Sequence, residues 1–212
     1  MPKSRKVQNL EATRAALMAV ARKHFARDGY SDAEIAAIAA DARVTTGAVY
    51  HHFASKKGLF TAVAEDLEAE ILRTAASVTD DDPWRRLRGG FEKLIDLCAA
   101  PAVQRIVFVE APQVVGPEAW RKIELQYAFG TLRNVLVSLR EAGIIKPYPV
   151  DLIARTLLAL LHETSAELAR SKHDPAVRTQ ISEMVAGVFD VFLAGQPARV
   201  IGSGRTGGRR LL

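Results

Sequence analysis

The stretch VTTGAVYHHFASK, residues 44–56, predicts a short helix with little packing surface of its own. Thr45 can cap its start, and Gly47 lies inside it, where glycine costs roughly 0.5–1 kcal/mol relative to alanine. The helical repeat separates an inner face, Val49, His52 and Phe53, from an outer face, Gly47, Tyr50, His51 and Ala54. An outer face with so little bulk lets the helix backbone approach another surface while a few hydrogen-bonding tips contact it.

Two further helices are predicted before this stretch. Apolar spacing indicates an amphipathic helix over residues 11–28 that ends at Gly29, and a short helix over residues 32–41 with Ser31 or Asp32 as its cap. A short helix, a tight connection and a second short helix form the arrangement by which a helix-turn-helix places its recognition helix in the major groove of DNA.

The longer stretch GYSDAEIAAIAADARVTTGAVYHHFASKKGLF, residues 29–60, resembles the N-terminal signature of the TetR family of transcriptional repressors. The resemblance implies an all-α homodimer whose N-terminal domain binds operator DNA and whose C-terminal domain holds a small-molecule inducer. Three positions depart from the family pattern: Ala33 replaces a capping threonine, Arg43 a turn glycine, and Thr46 a basic residue that often reaches a phosphate. Arg43 is expected to carry strain if the turn keeps a positive φ, or equally to supply the phosphate contact that Thr46 lacks.

The candidate DNA contacts lie in the turn before this helix, on the helix itself, or just after it. They are Arg43, Thr45, Thr46, Gly47, Ala48, Tyr50, His51 and Lys56. The Tyr50 hydroxyl is expected to donate to a phosphate, and His51 to contact a phosphate or a base edge. Threonine hydroxyls can bond to phosphate or base, and Ala48 can pack on a thymine methyl group. His52, on the inner face, is predicted to be structural.

Charge is divided unevenly along the 212 residues, whose net charge is +5. Residues 1–57 hold ten basic and five acidic residues, residues 58–198 hold 15 and 19, and residues 199–212 hold four arginines and no acid. A basic N-terminal part on an acidic body predicts that the N-terminal part meets a polyanion. We therefore predict a flexible basic arm (1–10), a helix-turn-helix DNA-binding domain (11–55), a ligand-binding and dimerisation domain (56–196) and a disordered basic tail (197–212).

Helical periodicity continues through the body, which gives about nine helices in all and no confident strand. The last two helices, over residues 151–170 and 175–194, carry apolar residues around arcs wider than one buried face needs. Both sides are covered most simply when the same two helices of a second copy complete a four-helix interface. The candidate interface residues are Leu157, Leu161, Met184, Val188 and Phe192.

A ligand cavity is expected in the body, where the family resemblance puts its pocket. The candidate ligand contacts are aromatic residues and two polar residues beside apolar runs: Phe91, Phe108, Glu110, Trp120, Tyr127 and His162. Aromatic walls suit a small, mainly apolar ligand, and a carboxylate or imidazole facing such a cavity would orient the ligand or favour a cationic one. Ordinary core packing is the alternative for each of these residues.

Other functional classes find little support in the sequence. The longest apolar stretches fall far short of the ~20 residues of a membrane span, which predicts a cytoplasmic protein. A single cysteine, Cys98, excludes an internal disulfide and a multi-cysteine metal site. GSGRTG, residues 202–207, has too few residues after it for a dinucleotide-binding βαβ unit, and HETSA, residues 162–166, lacks the second histidine of a zinc-binding HExxH.

No catalytic constellation is found, so the sequence predicts no enzyme, no cofactor and no metal site. The prediction is a ligand-responsive transcriptional regulator, a repressor, that binds a pseudo-palindromic operator in double-stranded DNA as a homodimer and is released by a small-molecule inducer. Two alternatives stay open: a DNA-binding regulator that has no small-molecule ligand and is controlled by a partner, and an all-helical enzyme.

Overall fold

The computed structural model describes residues 5–195 of the chain, with side chains from Leu10 onward. These residues form nine helices and one isolated bridge, between Ile145 and Leu193, which confirms the predicted all-α class. The first four helices are α1 (Arg5–Asp32), α2 (Ile35–Asp41), α3 (Thr46–Phe53) and α4 (Lys56–Ala76). The predicted basic tail, residues 197–212, lies outside the described residues, as do residues 1–4 of the predicted arm.

The body contains the remaining five helices, two of which include π-helical segments. They are α5 (Pro83–Cys98), α6 (Val103–Glu110, continuing as Ala111–Val114), α7 (Pro117–Glu124, Leu125–Phe129 and Gly130–Glu141 in succession), α8 (Val150–Arg170) and α9 (Pro175–Phe192). The π-helical segments are Val103–Glu110 in α6 and Leu125–Phe129 in α7. Proline begins α5, α7 and α9, where its missing N–H costs no hydrogen bond.

Helix α1 agrees with the prediction at its end but not at its start. It begins at Arg5 rather than at residue 11, so the last residues of the predicted flexible arm are helical. Gly29 breaks the helix with a φ of 83°, as predicted. A Cβ atom at this position would collide with the Arg105 guanidinium and the Glu110 carboxylate of α6. Glycine is therefore favoured at position 29 by its backbone conformation, and a Cβ there would also force the ends of the Arg105 and Glu110 side chains to move.

Helix α2 begins later than predicted. Its first residue is Ile35, and Glu34 occupies the N-cap position without a side-chain hydrogen bond, so the predicted caps Ser31 and Asp32 are wrong. The reason is local: Ala33 is buried in the core and its N–H donates to the Gly29 carbonyl oxygen at 3.2 Å. The residues after Gly29 therefore complete a turn of their own before α2 starts.

The connection between α2 and α3 is a Schellman turn. The Val44 N–H donates to the Ala39 carbonyl at 2.9 Å, and the Arg43 N–H donates to the Ala40 carbonyl at 3.0 Å. Arg43 occupies the left-handed position of this turn, with a φ of 57°. An L-residue other than glycine pays roughly 1–2 kcal/mol in this conformation, so the strain expected at Arg43 is present.

The predicted Thr45 cap of α3 is confirmed, and α4 begins with a cap of the same kind. The Thr45 hydroxyl oxygen accepts from the Ala48 N–H at 3.2 Å, and the Ser55 hydroxyl oxygen accepts from the Gly58 N–H at 2.9 Å. Each interaction satisfies a backbone donor that the first helical turn leaves unpaired. The two caps therefore fix where α3 and α4 begin.

Helix α4 joins the N-terminal helices to the body, because it packs against α1, α3, α5 and α6. Near its start, the Phe60 ring meets Phe25 and Tyr30 of α1 edge-on, with centroid distances of 5.1 and 5.2 Å. Aromatic pairs of this geometry contribute ~0.5–1.5 kcal/mol beyond their burial. Within residues 5–195, no helix has the length and hydropathy that crossing a membrane requires.

Candidate functional site

The outer face of α3 is open to solvent. Thr46, Gly47, Tyr50 and His51 are exposed, with Tyr50 at 51% of its full accessibility, and Ala48 is half-buried. Tyr50 and His51 each carry a polar group at the end of the side chain, and Gly47 has no side chain to cover the helix backbone. The face can therefore approach a groove closely and still donate hydrogen bonds to phosphates or base edges.

The inner face of α3 holds the helix against the rest of the domain. Val49 and Phe53 are buried, and the Arg14 guanidinium of α1 lies 4.9 Å from the centre of the Phe53 ring. His52 is half-buried, and burial, followed by the charges of His51 and Arg14, lowers its pKa. His52 is therefore biased towards the neutral form, as suits the structural role predicted for it.

The two basic candidates at the ends of α3 have different surroundings. The Arg43 side chain is exposed on the strained turn. Lys56 is half-buried: its ammonium donates to the Ser31 carbonyl at 2.9 Å and lies 4.9 Å from the centre of the Tyr30 ring. An ammonium carries three protons, so Lys56 retains donors for a phosphate while its position is fixed by the turn before α2.

The body contains a cavity of about 670 Å³ that opens to the surface. Its deep end is formed by buried residues, which include Glu68, Ile71, Cys98, Val107 and Trp120. Its rim is formed by exposed residues, which include Arg121, Glu124, Leu125, Arg155 and His162. Both π-helical segments contribute residues to the cavity wall. Short π-helical segments occur frequently at functional sites.

Three of the six predicted ligand contacts line this cavity: Phe108, Trp120 and His162. The rings of Phe108 and His162 meet edge-on at 4.9 Å between centroids. Phe91 and Tyr127 are not among the residues that line this cavity. Phe91 instead packs in the core against Phe189, at 5.2 Å between centroids.

Tyr127 does not line the cavity, although residues next to it in the sequence do. Leu125, Ala128 and Phe129 all line the wall from the same π-helical segment. Helical spacing does not explain this difference, because Tyr127 is three residues after Glu124, which also lines the cavity. The sequence therefore could not separate Tyr127 from its neighbours.

Glu110, which also does not line the cavity, lies at the junction between the body and the N-terminal helices. One carboxylate oxygen accepts from the Tyr30 N–H at 3.0 Å, and the other from the Arg105 guanidinium at 3.2 Å. Arg105 also donates to the carbonyls of Arg27 and Asp28, at 2.7 and 3.0 Å. We call Arg105 and Glu110 the α6 clamp, because together they hold the end of α1 and the Gly29 turn.

The clamp and the cavity share one short helix. Val107 and Phe108, which line the cavity, stand between Arg105 and Glu110 on the π-helical segment of α6. A change in the packing of Phe108 therefore acts on the same helical turn that holds α1. The sequence of this segment, RIVFVE, did not predict that some of its residues line the cavity while Arg105 and Glu110 hold α1. Periodicity does not indicate whether a charged residue at the end of an apolar run faces another domain.

Glu68 is the cavity residue that the sequence analysis missed. It lies on α4, is only 4% exposed, and has no hydrogen-bond partner among the described residues. Burial, and secondarily the charge of Glu124, raise its pKa from an ordinary value of 4.5 to about 7. The spacing of the buried residues Ala64, Leu67 and Ile71 could have revealed it, because Glu68 falls on their side of the helix.

Two of the five predicted dimer-interface residues are buried inside the protomer. Leu157 is fully buried in the core, and Leu161 is buried where it lines the cavity. Neither leaves apolar surface for a second copy to cover. Met184 is 51% exposed, and Val188 and Phe192 are half-buried on α9.

Two family models match the chain. Residues 17–63 match the model described as bacterial regulatory proteins of the tetR family, and residues 84–192 match the tetracyclin repressor-like C-terminal domain. The Transposon Tn10 TetC protein of Escherichia coli is 29% identical over 156 residues, covering 73% of this chain and 79% of that protein. The HTH-type transcriptional repressor SCO4008 of Streptomyces coelicolor is 32% identical over 136 residues, covering 64% and 68%.

Solved structures agree with these matches. A TetR-family transcriptional regulator from Pectobacterium atrosepticum superimposes with a TM-score of 0.69 at 29% identity, covering 92% of this chain and all of that one. A regulator described in the same terms, from Shewanella, superimposes with a TM-score of 0.71 at 17% identity and so bears on the fold alone.

Proposed function

Because the chain belongs to the TetR family of DNA-binding transcriptional regulators, we propose that it is a ligand-responsive repressor. It binds a pseudo-palindromic operator as a homodimer and leaves the DNA when a small effector fills the cavity in the body. The observation that carries the proposal is the connection from cavity to DNA-binding domain through α6: Phe108 lines the cavity, and the α6 clamp holds the end of α1.

The exposed face of α3 supports the DNA-binding half of the proposal. Tyr50 and His51 extend from it with free polar tips, and Gly47 allows close approach. In the proposed complex Tyr50 donates to a phosphate and His51 contacts a phosphate or base edge. Thr45, Thr46 and Ala48 complete the groove contacts, and Arg43 and Lys56 meet phosphates at either end of the helix.

An apolar stripe on α9 supports the homodimer. Ile181, Val185 and Phe189 face the core, whereas Met184, Val188 and Val191 form a stripe beside them. Met184 and Val191 are exposed to solvent. The face of α9 that is turned away from the core carries acidic residues, so these exposed apolar residues stand out on the helix. A second copy covers this stripe in the proposed dimer, which also sets the ~34–36 Å spacing of two recognition helices along the operator.

The effector acts through the α6 clamp in this proposal. A ligand against Phe108 displaces the π-helical turn, the clamp moves the end of α1, and the spacing of the two α3 helices changes. Because the operator half-sites have fixed spacing, a small displacement in each subunit lowers affinity.

The test begins with operator duplexes selected from a random library by the full-length protein. Tyr50→Phe and His51→Ala are each expected to weaken binding about tenfold or more at fixed salt, because a symmetric dimer loses each contact twice. Tyr148→Phe is the matched control, since Tyr148 is an exposed tyrosine in the loop between α7 and α8. Unchanged affinity of both α3 variants, with the dimer intact by sedimentation, would refute the DNA-contact assignment.

A second arm of the same assay separates the ligand-responsive regulator from one controlled by a partner. Small molecules that occupy the cavity are expected to release the operator from the wild-type protein. Occupancy of the cavity without any change in operator affinity would exclude the ligand response and favour the partner-controlled alternative.

A further inference from the structure

The cavity contains a buried carboxylate that has no counter-ion. Glu68 lies at the deep end, and its carboxylate has no hydrogen bond or ion pair within residues 10–195. An ionised carboxylate in apolar surroundings is costly unless a cation or a set of donors compensates it. A ligand that supplied a positive charge or hydrogen-bond donors would therefore stabilise the ionised Glu68 carboxylate.

The charged groups facing Glu68 leave the deep end of the cavity negative. Glu124, at the rim, adds a second carboxylate whose pKa is also raised by burial. The neighbouring Cys98 thiol stays protonated, because burial raises its pKa to about 12. The two arginines are exposed at the rim: the charge of Arg121 lowers the pKa of Glu124 and so partly offsets the effect of burial, and the Arg155 guanidinium lies 5.8 Å from the centre of the Phe129 ring.

The remaining wall is aromatic and apolar. Trp120, Phe108 and Phe129 line the cavity, and His162 packs edge-on against Phe108. Aromatic faces attract cations, as the position of Arg155 over Phe129 illustrates. A cavity of about 670 Å³ accommodates a drug-sized molecule.

We propose that the effector is a lipophilic organic monocation, an ammonium or phosphonium centre carrying an aromatic group, with the charged centre against Glu68 and the apolar part against Trp120 and Phe108. This inference rests on the proposed function, because it gives the chemical class of the effector expected there. An anionic ligand would meet the Glu68 carboxylate at the deep end and the Glu124 carboxylate at the rim, and a neutral ligand would leave Glu68 uncompensated whenever it is ionised.

The test compares three probes that share one aromatic group. They are the cation (2-naphthylmethyl)trimethylammonium, its neutral carbon isostere 2-neopentylnaphthalene and the anion 2-naphthylacetate. Binding to the full-length protein is measured by titration calorimetry and by fluorescence in a Trp84→Phe background, where Trp120 is the remaining tryptophan. The cation is expected to bind at least tenfold more tightly than its isostere at pH 8.

Substitution of Glu68 identifies the group responsible. Glu68→Gln is expected to lower cation affinity about tenfold or more at pH 8 and to leave the isostere within about twofold. Glu65→Gln is the matched control, since Glu65 lies on the same helix and does not line the cavity. Equal affinities for cation and isostere, equal losses for both probes, or tightest binding of the anion would each overturn the proposal.

The pH dependence gives an independent readout. Because the pKa of Glu68 is about 7, its ionised fraction rises from about a tenth at pH 6 to about nine tenths at pH 8, so cation affinity is expected to rise roughly tenfold. Glu68→Gln should remove this rise. Histidine as a residue type changes charge in the same range, so His162→Gln is included, and a rise that His162→Gln removes but Glu68→Gln does not would overturn the proposal.

Operator affinity, measured in the same samples, separates this inference from the proposed function. If the cation binds through Glu68 and the operator affinity does not change, the cation site is supported and the ligand response fails. If the neutral probe or the anion binds and releases the operator, the ligand response is supported and the cation site fails. If no probe binds at millimolar concentration, the cation site is overturned.

Discussion

Replacement of Glu68 by glutamine is expected to stabilise the protein at high pH. The wild-type carboxyl has a pKa of about 7 in the folded chain, raised mainly by burial, against an ordinary value of 4.5. Below pH 4.5 the group is protonated in both states and costs nothing. Above pH 7 the folded protein must hold a buried charge that the unfolded chain exposes to water.

The expected magnitude follows from these two pKa values. Each pKa unit between the folded and unfolded states corresponds to 1.36 kcal/mol, so the free energy of unfolding falls by about 3 kcal/mol as the pH rises from 4.5 through 7. A neutral glutamine of nearly the same shape removes this loss. The variant should therefore be about 3 kcal/mol more stable than wild type at pH 8 and about equally stable at pH 4.5.

Urea unfolding of the full-length protein from pH 4.5 to pH 8, at one protein concentration, measures this difference. Subtracting the wild-type curve from the variant curve cancels the titrating groups that do not interact with Glu68. Glu65→Gln, on the same helix, should show no comparable pH-dependent gain. A stability difference that stays constant with pH, or that favours wild type at pH 8, would show that Glu68 is not a buried, unpaired carboxylate and would remove the basis for a cation site.

Four other outcomes are expected. Arg43→Gly should raise the free energy of unfolding by about 1 kcal/mol by relieving the left-handed turn. It should also weaken operator binding and lower the salt slope by about two, one for each subunit of the dimer, whereas an unchanged slope would contradict a phosphate contact. Gly29→Ala should reduce stability and operator affinity together, because its Cβ collides with the α6 clamp, and a fully stable variant would contradict that packing. Arg105→Ala should retain operator binding but lose effector-driven release in gel-shift assays, whereas Arg133→Ala, which removes an exposed ion pair with Asp151, should respond like wild type. Met184→Asp should produce monomers in sedimentation experiments and Thr179→Glu, on the opposite side of α9, should not; a dimeric Met184→Asp protein would exclude the α9 stripe as the interface.

The N-terminal domain could be predicted closely because its information is local. Thr45 and Ser55 cap helices through atoms three residues away, and Gly29 breaks α1 through its own backbone. The errors there concern where two helices begin. Ala33 is held in the core, which delays the start of α2, and α1 extends back to Arg5.

The candidate ligand site was predicted only in part, because a cavity depends on the direction of side chains from several helices at once. Phe108 and Trp120 reach it, while Phe91 turns into the core and Glu110 turns to another domain. Glu68 went unnoticed among the acidic residues of α4, since its burial comes from helices that lie far away in the chain.

The sequence by itself determined the all-α class, the Thr45 cap of α3, the glycine break of α1 at Gly29, and the polar outer face of α3, because helix periodicity and capping act over a few residues. Only the tertiary structure decided that Arg105 and Glu110 hold α1, that Leu157 is core rather than interface, and that Glu68 faces a cavity. Those outcomes depend on how the helices pack in three dimensions. Packing brings together residues that are far apart in the sequence, and helical periodicity does not predict which of them meet.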